Sequence, residues 1–276
     1  MSLVIAGERS GVGKTTVTLT LLASLCRRGS LIQSFKVGPD YIDPMFHQHV
    51  TNRACRNLDP VLTSEAYVQE CFARHIQKVD FALVEGVMGL FDGIKGSGEW
   101  GVESVEDDQK TRGQGGQGGL GRLGRQAFKE NSFFPPSPPL PIPLSSFAST
   151  AHVALLLDLP VVLVIDCSRL SGSVAAIAYG YCSFDPRIKI AGVVLNRVGS
   201  DRHLSLLKDS LLPLQLPIIG VLRREDHITI PDRHLGLIPT AELPQLDAVI
   251  ERLANLGDTC FDWDRLLPLL KSEPLP

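Results

Sequence analysis

A lysine and two threonines, Lys14-Thr15-Thr16, follow a loop in which Gly11 and Gly13 bracket Val12. In that order these residue types can hold a polyphosphate. Glycines turn backbone N–H groups inward with no Cβ in the way, the ammonium reaches the outer phosphates, and the Thr15 hydroxyl can ligate Mg²⁺. Three carboxylates are placed to join them: Asp40 and Asp43 in Gly-Pro-Asp-Tyr-Ile-Asp-Pro, and Glu85 in Val-Glu-Gly. Phosphoryl transfer asks a protein for positioning and for charge neutralisation around a divalent cation. Carboxylates converging on a cation that Thr15 also holds would meet that need. Acids beside turns also serve as solvated or capping groups, and Asp92, in Asp-Gly, reads equally as a turn residue. Asn196 either offers its amide to a base edge or closes a turn. His47 and His49 have no partner pattern that argues for a metal, His152 and His234 read as surface or helix-end residues, and no Ser/His/Asp triad is legible.

The elements that must position these groups follow from the apolar pattern. Leu3 to Ala6 is a short buried strand, and apolar positions at Val17, Leu19, Leu21, Leu22 and Leu25 mark a helix opening at Lys14. Strand, loop, helix is the context that a phosphate-binding loop requires. The helix N-terminus adds its partial positive charge. A second strand, Leu31 to Phe35, delivers Asp40 and Asp43; a helix capped by Thr63 or Ser64 runs to about Gln77; and Phe81 to Val84 delivers Glu85. If these strands lie beside the first, all three carboxylates face the loop. Further on, Thr150–Leu157, Gly172–Tyr181, a stretch from Asp201 or Arg202 to Leu212, Gln245–Leu256 and Cys260–Leu270 read as helices. Val161–Ile165, Ile190–Leu195 and Pro217–Leu222 read as strands. Six or so apolar strands alternating with helices predict an α/β fold with a mostly parallel sheet flanked by helices. Ligands bind such sheets beyond the C-terminal ends of the strands.

Residues 97–148 break the pattern. They carry 9 of the chain's 25 glycines and 6 of its 19 prolines, and read as a disordered insertion. Over 276 residues, 44% hydrophobic content supports a substantial core, and a net charge of −3 advertises neither nucleic acid nor an anionic membrane as partner. Six cysteines with no C-x-x-C pair read as reduced packing residues of a cytoplasmic protein. A strand at the very start predicts no signal peptide, and no apolar run approaches the roughly 20 residues of a membrane span.

The loop departs from the strict phosphate-binding pattern, since Glu8 stands where a glycine is usual. Arg9-Ser-Gly-Val-Gly-Lys-Thr-Thr16 resembles instead the deviant loop of the dethiobiotin synthetase and ParA-like group of P-loop NTPases. Longer blocks resemble one family. Lys36-Val-Gly-Pro-Asp-Tyr-Ile-Asp-Pro-Met-Phe-His47, Arg56-Asn-Leu-Asp59, Val84-Glu-Gly-Val-Met-Gly-Leu-Phe-Asp-Gly93, Ser149-Thr-Ala-His-Val-Ala154, Val194-Leu-Asn-Arg-Val-Gly199 and Arg233-His-Leu-Gly236 are similar to cobyrinic acid a,c-diamide synthases. The resemblance implies ATP-dependent phosphorylation of the a and c carboxylates of a corrinoid, followed by displacement with ammonia. It implies that Gly11, Val12, Gly13, Lys14, Thr15 and Thr16 hold ATP and that Asn196 reads adenine. Thr15, Asp40 and Glu85 would hold Mg²⁺, Asp43 would support the phosphorylated intermediate, and Tyr41, Ile42 and the Ser149–His152 segment, with His152, would meet the tetrapyrrole.

Residues 1–240 are then an ATP-binding synthetase domain, and 241–276 a helical tail or linker. The glutamine amidotransferase domain usual in the family is expected to be absent from residues 1–276, so nitrogen would come as free ammonia or from a glutaminase partner, or the chain is a piece of a longer protein. Cys260 lacks the glycine-rich turn of such a domain's nucleophile. A homodimer is compatible with the sequence. Alternatives are a nickel-sirohydrochlorin a,c-diamide synthase and a ParA-like switch ATPase, for which Arg9 occupies the signature-lysine place.

Overall fold

The computed structural model describes residues 2–94, 146–224, 232–233, 236–237 and 246–271. Strand β1 (Ser2–Gly7) is buried at every position and runs through the centre of a seven-stranded parallel sheet. On one side of it lie β4 (Phe81–Glu85), β2 (Ile32–Val37) and β3 (Arg56–Leu58); on the other lie β5 (Val161–Asp166), β6 (Ile190–Val198) and β7 (Ile218–Arg223). Parallel strands need crossovers, and helices supply them, covering both faces. Alternate residues divide the core. Val4 and Ala6 join Phe35, Val84, Leu163 and Leu195 under α3 (Glu65–Ile76), α4 (Thr150–Leu156), α5 (Ser173–Phe184) and α6 (Asp201–Leu211). Leu3 and Ile5 join Leu83, Val162 and Val194 under α1 (Lys14–Arg27), α2 (Ile42–Thr51), α7 (Leu246–Cys260) and α8 (Trp263–Lys271). Burying each such aliphatic side chain contributes roughly 1.5–3 kcal/mol.

The fold class is the one expected, but several details differ. The second strand is not a neighbour of the first, because β4 is inserted between them. Among the elements near the site, α2 and β3 have no counterpart in the sequence pattern. The Asp-Tyr-Ile-Asp-Pro run reads as a turn, yet Pro44 sits in the first turn of α2, where backbone N–H groups have no intrahelical partner and proline is tolerated. Asp40 Oδ1 accepts the Ile42 and Asp43 amides at 2.9 and 3.3 Å and so starts that helix. The expected C-terminal tail is instead part of the domain: Leu253 and Ala254 of α7 and Leu266 and Leu270 of α8 are buried in the core that covers β1. Gly257 lets α7 approach α1 closely, since a Cβ there would lie 2.7 Å from Ser24 Cβ and 2.9 Å from the Thr20 carbonyl.

The 97–148 insertion lies outside the described residues except for its last three positions. Its two flanks meet, with the Ile94 amide donating to the Phe147 carbonyl at 2.9 Å. Of Arg233-His-Leu-Gly236, the described positions Arg233 and Gly236 pair in a short antiparallel hairpin of β8 (Asp232–Arg233) and β9 (Gly236–Leu237). All six cysteines are free thiols. Among the described residues no helix is long and apolar enough to cross a membrane.

Candidate nucleotide and acyl-activation site

The loop between β1 and α1 is shaped by two left-handed glycines, Gly11 at φ 75° and Gly13 at φ 96°. A Cβ on Gly13 would lie 2.2 Å from the Asn196 amide nitrogen, so glycine is required there by space as well as by backbone angle. Asn196, at the C-terminal end of β6, donates to the Val12 carbonyl at 2.7 Å and accepts the Arg197 amide at 2.9 Å. One of its N–H groups therefore braces the loop, while its carbonyl is held by the neighbouring amide. Thr16 follows in the first turn of α1, where its carbonyl accepts the Thr20 hydroxyl at 2.7 Å.

Lys14 curls back over the loop. Its ammonium donates to the carbonyls of Arg9 at 3.1 Å and Met88 at 2.5 Å. Those carbonyl oxygens stand in for the phosphate oxygens that a bound polyphosphate would supply. Burial, and then the nearby Lys36 charge, pull its pKa down to about 8 despite the surrounding acids.

Beside the loop a dense charged cluster forms. In the parallel β2–β4 pair, Lys36 and Glu85 are register partners, so their side chains leave the sheet on one face. The Lys36 ammonium reaches Asp43 Oδ2 at 2.5 Å, Glu85 Oε1 at 2.9 Å and the Gly86 carbonyl at 3.3 Å, with Asp40 Oδ2 at 3.7 Å. The Thr15 hydroxyl lies 2.6 Å from Glu85 Oε1 and 3.3 Å from Asp43 Oδ2. The second Glu85 oxygen lies 2.7 Å from His47 Nε2, and both side chains are fully buried. His47 Nδ1 in turn lies 3.4 Å from Cys55 Sγ.

Burial would raise the Glu85 pKa, but Lys36, His47 and the Thr15 hydroxyl outweigh it and hold the carboxyl well below the usual range. Burial would lower the Lys36 pKa, and the Glu85 and Asp43 charges raise it instead. Asp43 is raised, first by burial and then by Glu85, with Lys36 opposing. Charges in such surroundings persist only when paired, and these are.

Of the residues expected at the site, Lys14, Thr15, Asp43 and Glu85 come together, and Asp40 stands at the edge with its other oxygen occupied at the α2 start. Tyr41 is 79% exposed at that rim, and Ile42 is half-buried beside it. His152 is not in the cluster. Its Nε2 lies 2.9 Å from Glu65 of α3 and its Nδ1 accepts the Ala148 amide at 3.0 Å. The residue of that segment that meets the β4 loop is Thr150, whose hydroxyl bonds both the amide and the carbonyl of Val87 at 3.0 Å. Asp92 accepts the Gly89 amide at 2.8 Å, a turn role.

Sequence reasoning passed over Lys36 and His47. Lys36 ends a strand immediately before the Gly-Pro-Asp run, a place that could have drawn notice. His47 carries no local signal, because its partner is on another strand. The oxygens of Thr15, Asp43 and Glu85 suit a hard divalent cation completed by phosphates and water. Among the described residues no set of three or more His, Cys, Asp or Glu forms a closed metal cage.

A left-handed-glycine loop on a central parallel strand, with lysine, threonine and acids at its mouth, defines a P-loop nucleotide-binding protein of the α/β class. The chain belongs to the family described as CbiA, the CobQ/CobB/MinD/ParA nucleotide binding domain, whose profile matches residues 3–238. It is 57% identical, over 100% of its length and 50% of the relative's, to a cobyrinate a,c-diamide synthase of a Synechococcus strain. A protein of that name from a Synechocystis strain is 49% identical over 99% of this chain and 47% of its own. A hydrogenobyrinate a,c-diamide synthase of Streptomyces coelicolor is 40% identical over 98% and 46%. The chain thus spans about half the length of these curated relatives. The MinD cell division protein of Aquifex aeolicus superposes with a TM-score of 0.46 at 14% identity, over 100% of this chain and 99% of that one.

Proposed function

We propose that this chain is the ATP-dependent synthetase part of an enzyme that amidates the a and c carboxylates of cobyrinate, in cobalamin biosynthesis. A carboxylate does not exchange oxygen for nitrogen in water until that oxygen becomes a leaving group. In the proposed reaction a carboxylate oxygen of the corrinoid attacks the γ-phosphorus of ATP and ADP departs. Ammonia then attacks the acyl carbon, phosphate leaves with the oxygen, and the nitrogen loses a proton to solvent.

The reading is carried by one observation: Thr15, Glu85, Asp43 and Lys36 meet within hydrogen-bond distance at the mouth of the loop that Lys14 closes. Lys14 and the amides of residues 11–16 would bind the triphosphate, exchanging the carbonyls of Arg9 and Met88 for phosphate oxygens. Mg²⁺, held by Thr15 and Glu85 with Asp40 or Asp43, would neutralise the β- and γ-phosphates. Lys36, held on Glu85 and Asp43, would face the negative charge on the transferring phosphoryl group. Asp43 and Asp40 would orient the incoming acid, and Tyr41 and Ile42 would lie against the macrocycle. The second N–H of Asn196 remains to meet the adenine. Nitrogen would arrive as ammonia, free or released by a glutaminase domain or partner.

The test is ATP hydrolysis in ammonium chloride with and without cobyrinic acid. ADP release that depends on the corrinoid, with the mass change of amidation, is the expected result. Hydrolysis indifferent to the corrinoid and stimulated by DNA would instead select a ParA-like switch. The Streptomyces relative's name favours including the metal-free hydrogenobyrinate as a second acceptor in the assay.

A further inference from the structure

On the opposite flank of the phosphate loop from Glu85 lies a cavity of about 560 Å³. Its floor is Asp166, at the end of β5, whose Oδ2 accepts Arg9 at 3.2 Å and Arg197 at 2.7 Å. Its wall is the apolar face of Leu170, Ile177 and Tyr181. Ser168 and Arg169 form the rim, and Arg224 fixes that turn by donating to the Ser168 carbonyl at 2.7 Å. Among the described residues the exposed Arg169 guanidinium pairs with no carboxylate and makes no hydrogen bond. Helix α5 begins just beyond it with no side-chain cap and no acid in its first turn. Arg9 and Arg169 line the cavity beside the carboxylates Glu8 and Asp166, and Arg9 and Arg197 already pair with Asp166, which leaves the Arg169 charge over. The arrangement has spare positive charge above an apolar wall, which suits an anion carried on a greasy body.

The cavity is tied to the reactive side. Arg9 lines it while its carbonyl accepts Lys14 at 3.1 Å. The Tyr181 hydroxyl donates to the Glu8 carbonyl, and its ring stacks on Phe91 of the β4 loop at 5.7 Å and 17°. We infer that this cavity is an anchoring subsite for a carboxylate arm of the acceptor other than the one being activated. Arg169 makes the ion pair, and Leu170 and Ile177 contact the macrocycle edge. The inference rests on the amidation reading, since only a polycarboxylate macrocycle has a second arm to hold.

The experiment compares wild type with Arg169→Ala and Arg169→Lys, by absorbance titration with cobyrinic acid, by nucleotide titration, and by KM and kcat in ammonium chloride. Arg169→Ala is expected to weaken corrinoid binding and raise its KM at least tenfold, with nucleotide affinity held within twofold and part of the loss recovered by lysine. Unchanged corrinoid affinity in an Arg169→Ala protein that still turns over would overturn the subsite and leave the amidation reading standing. A tenfold loss of nucleotide affinity would overturn it too, by giving Arg169 to ATP. Wild type that neither binds nor amidates cobyrinic acid would sink the amidation reading, and the subsite with it.

Discussion

Replacing Lys36 by methionine removes the one ammonium that Glu85 and Asp43 share, while keeping most of the side chain's volume. Lys36 is 3% exposed, so water cannot take over its task. Two carboxylates would then face each other across the Thr15 hydroxyl, and one must take up a proton. Losing an opposite charge at this range moves a carboxyl pKa by about 1–3 units, or roughly 1.4–4 kcal/mol. Breaking a buried pair by removing one partner costs about 3–5 kcal/mol in general. We therefore expect Lys36→Met to lose about 3 kcal/mol of unfolding free energy at pH 7.

The sign with pH follows. In the variant the shared carboxyl titrates above its unfolded value, so the folded state is favoured at low pH and loses stability as pH rises. The deficit should shrink by up to about 1.4 kcal/mol per pH unit as pH falls from 8 to about 6, and level off below it, where wild-type Asp43, itself raised to about 6, takes up the same proton. Wild type keeps its Lys36 contribution throughout that range, because the raised lysine stays charged. Urea unfolding at pH 5, 6, 7 and 8 measures both quantities. A loss under about 1 kcal/mol at pH 7, or one that does not change with pH, would refute the account of the cluster.

Three further outcomes are expected. Glu85→Gln should lower corrinoid-dependent ADP release by about 10²-fold or more, since it loosens the metal and the Lys36 ammonium that would face the developing charge, with ATP affinity within a few fold by nucleotide titration; near-normal turnover would remove Glu85 from the chemistry. ATP affinity should fall as pH rises above about 8, by up to tenfold per unit, because a triphosphate selects the charged Lys14 and raises its depressed pKa on binding; calorimetry in buffers of different ionisation enthalpy should show proton uptake at pH 8.5, and none in Lys14→Ala. Gly257→Ala should cost about 1–3 kcal/mol by thermal unfolding, since its Cβ would meet Ser24 and Thr20 of α1 within 3 Å.

By itself the sequence determined the strand, loop and helix of residues 3–25, the α/β class, and the acids Asp40, Asp43 and Glu85. These are local facts: a run of buried aliphatics, glycines at fixed spacing, and carboxylates immediately after strands. The sequence also carried the family resemblance, because long blocks of residues survive in order whatever the tertiary arrangement. Tertiary structure alone decided that β4 sits between β1 and β2, and with it that Lys36 stands opposite Glu85. Those residues are 49 positions apart, and only a parallel register puts both on one face. It also decided that His47, 38 positions from Glu85, holds the second oxygen. That contact required α2, which proline and turn-type residues conceal until Asp40 is seen capping it. The capture of Lys14 by the Met88 carbonyl, the bracing of the loop by Asn196 and the docking of α7 and α8 on the core belong to the same group. Each depends on packing between distant segments, for which a one-dimensional pattern has no period.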